Sequence, residues 1–82
     1  MSKKEKLLKK FLEVPIRTDL KFHELIRLMS HYGYVLYERE GSRVIFYNSK
    51  IKDTYNMHKP HASEPLKRYQ VKDIQNILSS YL

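Results

Sequence analysis

The sequence predicts an α+β domain in the order α-α-β-β-β-α, with a three-stranded antiparallel sheet and helices packed on one of its faces. Three observations predict it. Apolar residues recur at helical spacing up to residue 31, switch to a period of two between 34 and 58, and return to helical spacing after 70. A chain of 82 residues has room for one modest core. The expected organisation is an N-terminal helical extension and connector, residues 1–20, followed by an α-β-β-β-α domain over 21–82.

The elements follow in order. Leu7, Leu8, Phe11 and Leu12 give the first helix, 3–13, one apolar face, and Pro15 closes it. A connector over 14–20 contains Pro15, Thr18 and Asp19. Phe22, Leu25, Ile26, Leu28 and Met29 make the broad apolar face of a second helix, 21–31. Gly33 then stands where a left-handed residue ends a helix. Residues 34–39 read as a strand, Glu40-Gly41 as a turn and 42–48 as the antiparallel partner. A polar reversal over 50–53 leads to a third strand, 54–58. Pro60 and Pro65 make 59–68 a loop, because neither fits a helix interior or a central strand. Val71, Ile74, Ile77, Leu78 and Tyr81 mark a C-terminal helix.

Alternation assigns the faces of the sheet. Val44 and Phe46 belong to the core, so Arg43, Ile45 and Tyr47 face outward. Burying Tyr55 and Met57 on the third strand puts Asn56 and His58 on the outer face. Arg43, Tyr47 and His58 are thereby expected on one solvent-facing surface, the register between strands being unspecified. Tyr34 and Tyr55 are expected in the core. For Tyr37 and Tyr47, half-buried packing and base stacking both stay open.

Composition narrows the function classes. The formal net charge is +7 and the apolar fraction 41%, too apolar for a disordered tail and basic enough to call for an acidic partner. Residues 3–10 carry five lysines against one glutamate, read as a solvated face. A second basic group comprises Lys59, Lys67, Arg68 and Lys72, the last three at the entry of the final helix, where free N–H groups favour phosphate. Cysteine is absent, so no disulfide or thiolate metal site holds the fold. His58 and His61 make a His-x-x-His pair, but no Asp, Glu or Cys at matching spacing completes a metal site. His23 and His31 read as an exposed helix histidine and a C-terminal dipole partner. No apolar run approaches the roughly 20 residues that span a bilayer, and no signal-like apolar core follows Ser2-Lys3-Lys4. A soluble cytoplasmic protein without cofactor, metal or membrane partner is expected.

One order of motifs carries a family resemblance. A helix ending in Tyr32-Gly33-Tyr34 is followed by Gly41-Ser42-x-x-x-Phe46, a histidine-containing loop, and Leu66-Lys67 leading into Val71-x-x-Ile74. Over residues 22–82 this order resembles the HicA family of toxin–antitoxin mRNA interferases, whose fold is similar to a double-stranded-RNA-binding domain. The first helix lies outside that resemblance. It implies an mRNA-cleaving toxin neutralised by a HicB-like antitoxin, and places a loop histidine at His61. It also locates a departure: Arg43 stands where the family's catalytic histidine commonly follows a Gly-Ser or Gly-Gly pair.

Arginine stays protonated near pH 7 and cannot act as a general base, but it holds phosphate in two-pronged fashion. Metal-independent cleavage needs a base for the 2′-OH proton and an acid for the leaving 5′-oxygen, and histidine is poised for both. The expected catalytic set is therefore His61 and His58, with Arg43 on the scissile phosphate. Ser42, Arg43, Tyr47, Lys59, Lys67, Arg68 and Lys72 form the expected nucleic-acid surface. Two other functions fit the residues: a non-catalytic RNA-binding or antitoxin-docking module, and a DNA-binding accessory protein. The last ranks lowest, because the apolar positions of helix 3–13 call for burial.

Overall fold

A computed structural model describes residues 2–82. Six elements run in the expected order: α1 (Lys3–Leu12), α2 (Phe22–His31), β1 (Val35–Glu38), β2 (Arg43–Asn48), β3 (Asp53–His58) and α3 (Arg68–Ser79). The strands form one antiparallel sheet with β2 in the centre.

Local chemistry explains where the elements begin and end. The Ser2 hydroxyl accepts the Glu5 N–H at 3.2 Å, which caps α1. The Glu24 carboxylate reaches back to the Lys21 N–H at 3.0 Å and satisfies a free donor at the start of α2. At the other end of α2, the Tyr34 N–H donates to the Met29 carbonyl and the Gly33 N–H to that of Ser30. This Schellman pattern needs a left-handed residue, and Gly33 takes φ +91°. The β1–β2 hairpin closes through the Arg43 N–H on the Glu40 carbonyl at 3.3 Å, with Gly41 at φ +63°.

The core lies between the helices and one face of the sheet. Leu20, Leu25, Leu28, Met29, Val44, Phe46, Val71, Ile74 and Leu78 are buried in it. Phe22 meets Phe46 edge to face across the helix–sheet boundary, with ring centroids 6.3 Å apart. From α1, Leu7 and Phe11 enter the same core, and Phe11 is fully buried. Gln75 of α3 donates to the Phe11 carbonyl at 2.8 Å, and Lys10 pairs with Glu24 of α2. The first helix is thus an integral layer of the packed core.

The face assignments hold, with one refinement. Val44, Phe46 and Met57 are buried, whereas Arg43, Asn56 and His58 are exposed and Ile45 and Tyr47 half-buried. Tyr34 is buried but lies one residue before β1. Tyr55 is only half-buried, because its hydroxyl must reach the Asp73 carboxylate at 3.0 Å. Tyr37 is exposed on the outer face.

Candidate functional site

Two directly opposed residues anchor the candidate site. Arg43, the first residue of β2, pairs with His58, the last of β3. The Lys59 N–H donates to the Ser42 carbonyl at 2.7 Å, one step outside that pair. This makes Arg43 and His58 a non-hydrogen-bonded pair, the kind whose side chains approach most closely, with Cβ atoms about 4.5–5.5 Å apart. A guanidinium and an imidazole therefore emerge together at one end of the sheet.

Beside them lies a groove of about 260 Å³, lined by Ser42, His58, Lys59, Pro60, His61, Glu64, Lys67, Tyr69 and Gln70. It joins the hairpin end of β2, the end of β3, the 59–67 loop and the N-terminus of α3. The Ser42 hydroxyl lies 3.1 Å from His58 Nδ1. If the hydroxyl donates, Nδ1 is the bare nitrogen and Nε2 carries the proton. If it accepts, the tautomer reverses. The pair therefore serves either proton state of His58 and leaves Nε2 for chemistry. His61 is exposed, and the Glu64 N–H closes a turn on its carbonyl at 3.0 Å. His61 also borders a second depression with Lys21, Phe22 and His23, so it sits on the ridge between two concavities.

The loop is held from both sides. Leu66 is buried and its N–H donates to the Leu20 carbonyl at 2.7 Å, while Lys21 Nζ donates to the Ser63 carbonyl at 2.9 Å. Gln70 is 2% exposed and bonds twice. Its Oε1 accepts the Lys67 N–H at 2.9 Å, and its Nε2 donates to the His58 carbonyl at 3.0 Å. One buried amide thus ties the start of α3 to the backbone of His58. Lys67 stands at the N-cap, where the unpaired N–H groups and helix dipole favour an anion.

Of the expected site residues, the fold brings Ser42, His58, Lys59, His61 and Lys67 into one groove, while Arg43 is paired with His58 across the strands and lines a neighbouring depression with Glu38, Arg39 and Glu40. Lys59 Nζ is also paired with Glu38 at 3.1 Å, both side chains being solvent-accessible. Three expected residues stand apart. Tyr47 is four residues up β2 from Arg43, about 13 Å along the strand, beside Tyr37, Arg39, Ile45 and Thr54. Arg68 and Lys72, one turn apart on α3, are exposed but do not line the groove. Gln70 and Tyr69 were not legible as site residues. Gln70 occupies the fourth position of a capping box, but Lys67 replaces the Ser or Thr that announces one. Tyr69, 57% exposed in the first turn of α3, is an aromatic without a packing role in the core.

The family model of the "HicA toxin of bacterial toxin-antitoxin" matches residues 22–78. No curated protein and no solved structure matches the chain. The matched span takes in α2, the whole sheet, the 59–67 loop and nearly all of α3, and so contains every residue of the groove; only α1 and the connector precede it. The chain belongs to the HicA family of bacterial toxin–antitoxin toxins.

Proposed function

We propose that this chain is the RNA-cleaving toxin of its toxin–antitoxin pair, and that a HicB-like antitoxin silences it by covering the groove. The observation that carries this reading is two imidazoles, His58 and His61, on one groove with Ser42, Lys59 and Lys67, with Arg43 paired to His58 on the adjacent strand. In the reaction, one histidine takes the proton of a 2′-hydroxyl, whose oxygen attacks the adjacent phosphorus. The P–O5′ bond breaks, and the other histidine protonates the departing 5′-oxygen. The products are a 2′,3′-cyclic phosphate and a 5′-hydroxyl, and the proton balance closes without metal. Arg43 holds the non-bridging oxygens and offsets charge in the transition state. Lys59 and Lys67 track neighbouring phosphates, and Tyr69 offers its ring to a base.

The test is incubation of purified protein with single-stranded RNA in EDTA, comparing wild type, Arg43→Ala and His58→Ala/His61→Ala. Cleavage by wild type, lost by at least about 10²-fold in the double variant, is the expected result. Identical fragments from both exclude histidine catalysis. A second reading rests on Arg43 standing where the family's histidine commonly follows Gly-Ser: a module that grips RNA without cutting it. It predicts saturable, salt-sensitive binding, weakened by Arg43→Ala and Lys67→Ala, with no strand scission.

A further inference from the structure

We propose that the groove between α1 and α2 is a second RNA-backbone site, which extends the grip of the His58–His61 groove along α2. The inference rests on RNA being the ligand of the first groove. The second groove, about 640 Å³, is lined by Lys3, Lys6, Lys10, Arg27, Ser30 and His31 with Glu24 and Leu7. Its one acid, Glu24, is already paired with Lys10. Among the described residues, Lys3, Lys6 and Arg27 make no ion pair and are exposed, so the groove presents uncompensated positive charge. Concentrating like charges there costs stability in the free protein and is repaid by a bound polyanion.

Geometry links the two sites. His23, Arg27, Ser30 and His31 are exposed and recur at helical spacing, forming one stripe along α2. His23 borders the depression that His61 shares, and Arg27 lines the second groove. From His23 to His31 the stripe runs about 12 Å, and Lys3 to Lys10 spans about 10 Å of α1. Each is long enough to meet more than one phosphate of a strand. Charge without exposed apolar anchors favours a phosphate backbone over a protein partner, since Leu7 is buried and lysine is depleted in protein interfaces. The lysine-rich α1 precedes the family match and α2 lies within it, so the groove joins a segment outside the matched span to one inside it.

The experiment measures binding of 2′-O-methyl single-stranded RNA, which lacks the attacking hydroxyl, by fluorescence anisotropy. Full-length wild type is compared with Lys3→Gln/Lys6→Gln/Arg27→Gln, matched by thermal melting, on oligonucleotides of about 16 and about 4 nucleotides. For the longer RNA the variant is expected to bind at least about tenfold more weakly, with a salt slope shallower by about 2 (three contacts at about 0.7 each). The shorter RNA is expected to bind both proteins alike. Equal affinity and slope on the longer RNA overturn the second site. So does an equal fall on both lengths, which places the loss in the first groove. A variant that keeps RNA but loses its antitoxin makes the α1–α2 groove a protein-docking face and also overturns it. Wild type that binds neither RNA contradicts the function proposed above, a failure separate from that of the second site.

Discussion

At the scale of single residues, buried polar groups decide more than charge. Gln70 is the clearest case, since its amide serves both the start of α3 and the carbonyl of His58. Gln70→Ala is expected to destabilise the protein by about 1–3 kcal/mol, read by chemical denaturation, because two backbone groups lose a partner. It is also expected to lower RNA cleavage, because the backbone that carries His58 loses its tie to α3. Tyr34 is held in the same way. Burial first, then the Asp53 carboxylate 2.6 Å from its hydroxyl, then Tyr81, push the Tyr34 phenol well above its ordinary range. Burial and Asp73 do the same for Tyr55. Spectrophotometric titration is therefore expected to show two phenols still un-ionised above the ordinary tyrosine range. A raised phenol favours the protonated fold, so this contribution is present below about pH 10 and lost above it. Tyr34→Phe removes the Tyr34 share of that alkaline component and leaves the Tyr55 share.

At the scale of elements, α1 and the connector carry the sharpest predictions. Phe11 is fully buried among α2 and α3, so Phe11→Ala is expected to cost about 3–5 kcal/mol in denaturant unfolding. A separable extension would leave stability unchanged. In the connector, Arg17 grips Asp19 and Glu13 on the surface. The hydrogen bond from Arg17 holds the Asp19 carboxyl down at about 2 against an ordinary 3.8. A lowered carboxyl stabilises the fold in its ionised form. Its contribution is present at neutral pH and is lost as pH falls from about 4 through about 2. Asp19→Asn flattens that acid limb in melts taken across the window. Strand and helix order, the two faces of the sheet and the turn at Gly41 were legible because period and glycine placement act locally. The pairing of Arg43 with His58 was not, because register is set across strands. The integration of α1 was foreshadowed by Leu7 and Phe11, but which surface they cover depends on Gln75 and Glu24, far along the chain.

At the scale of the whole molecule, one small core supports two basic concavities, one at the His58–His61 end of the sheet and one between α1 and α2. The family assignment rests on the span from α2 to α3, and the lysine-rich first helix is what this chain sets against it. No helix is long and apolar enough to cross a membrane among the described residues. Induced alone, the protein is expected to arrest growth, and co-expression of an antitoxin that covers the His58–His61 groove is expected to relieve it. Arrest lost in Arg43→Ala makes that residue part of the function; arrest kept moves the chemistry wholly onto the histidines. The chemistry proposed for that groove is acid–base cleavage of RNA. Mass spectrometry of the fragment ends, after incubation of single-stranded RNA with purified protein in EDTA, tests it most directly. Acid–base chemistry in the groove is expected to give 2′,3′-cyclic phosphate and 5′-hydroxyl ends that disappear in His58→Ala/His61→Ala. Intact RNA, or ends bearing 3′-hydroxyl and 5′-phosphate, contradicts it.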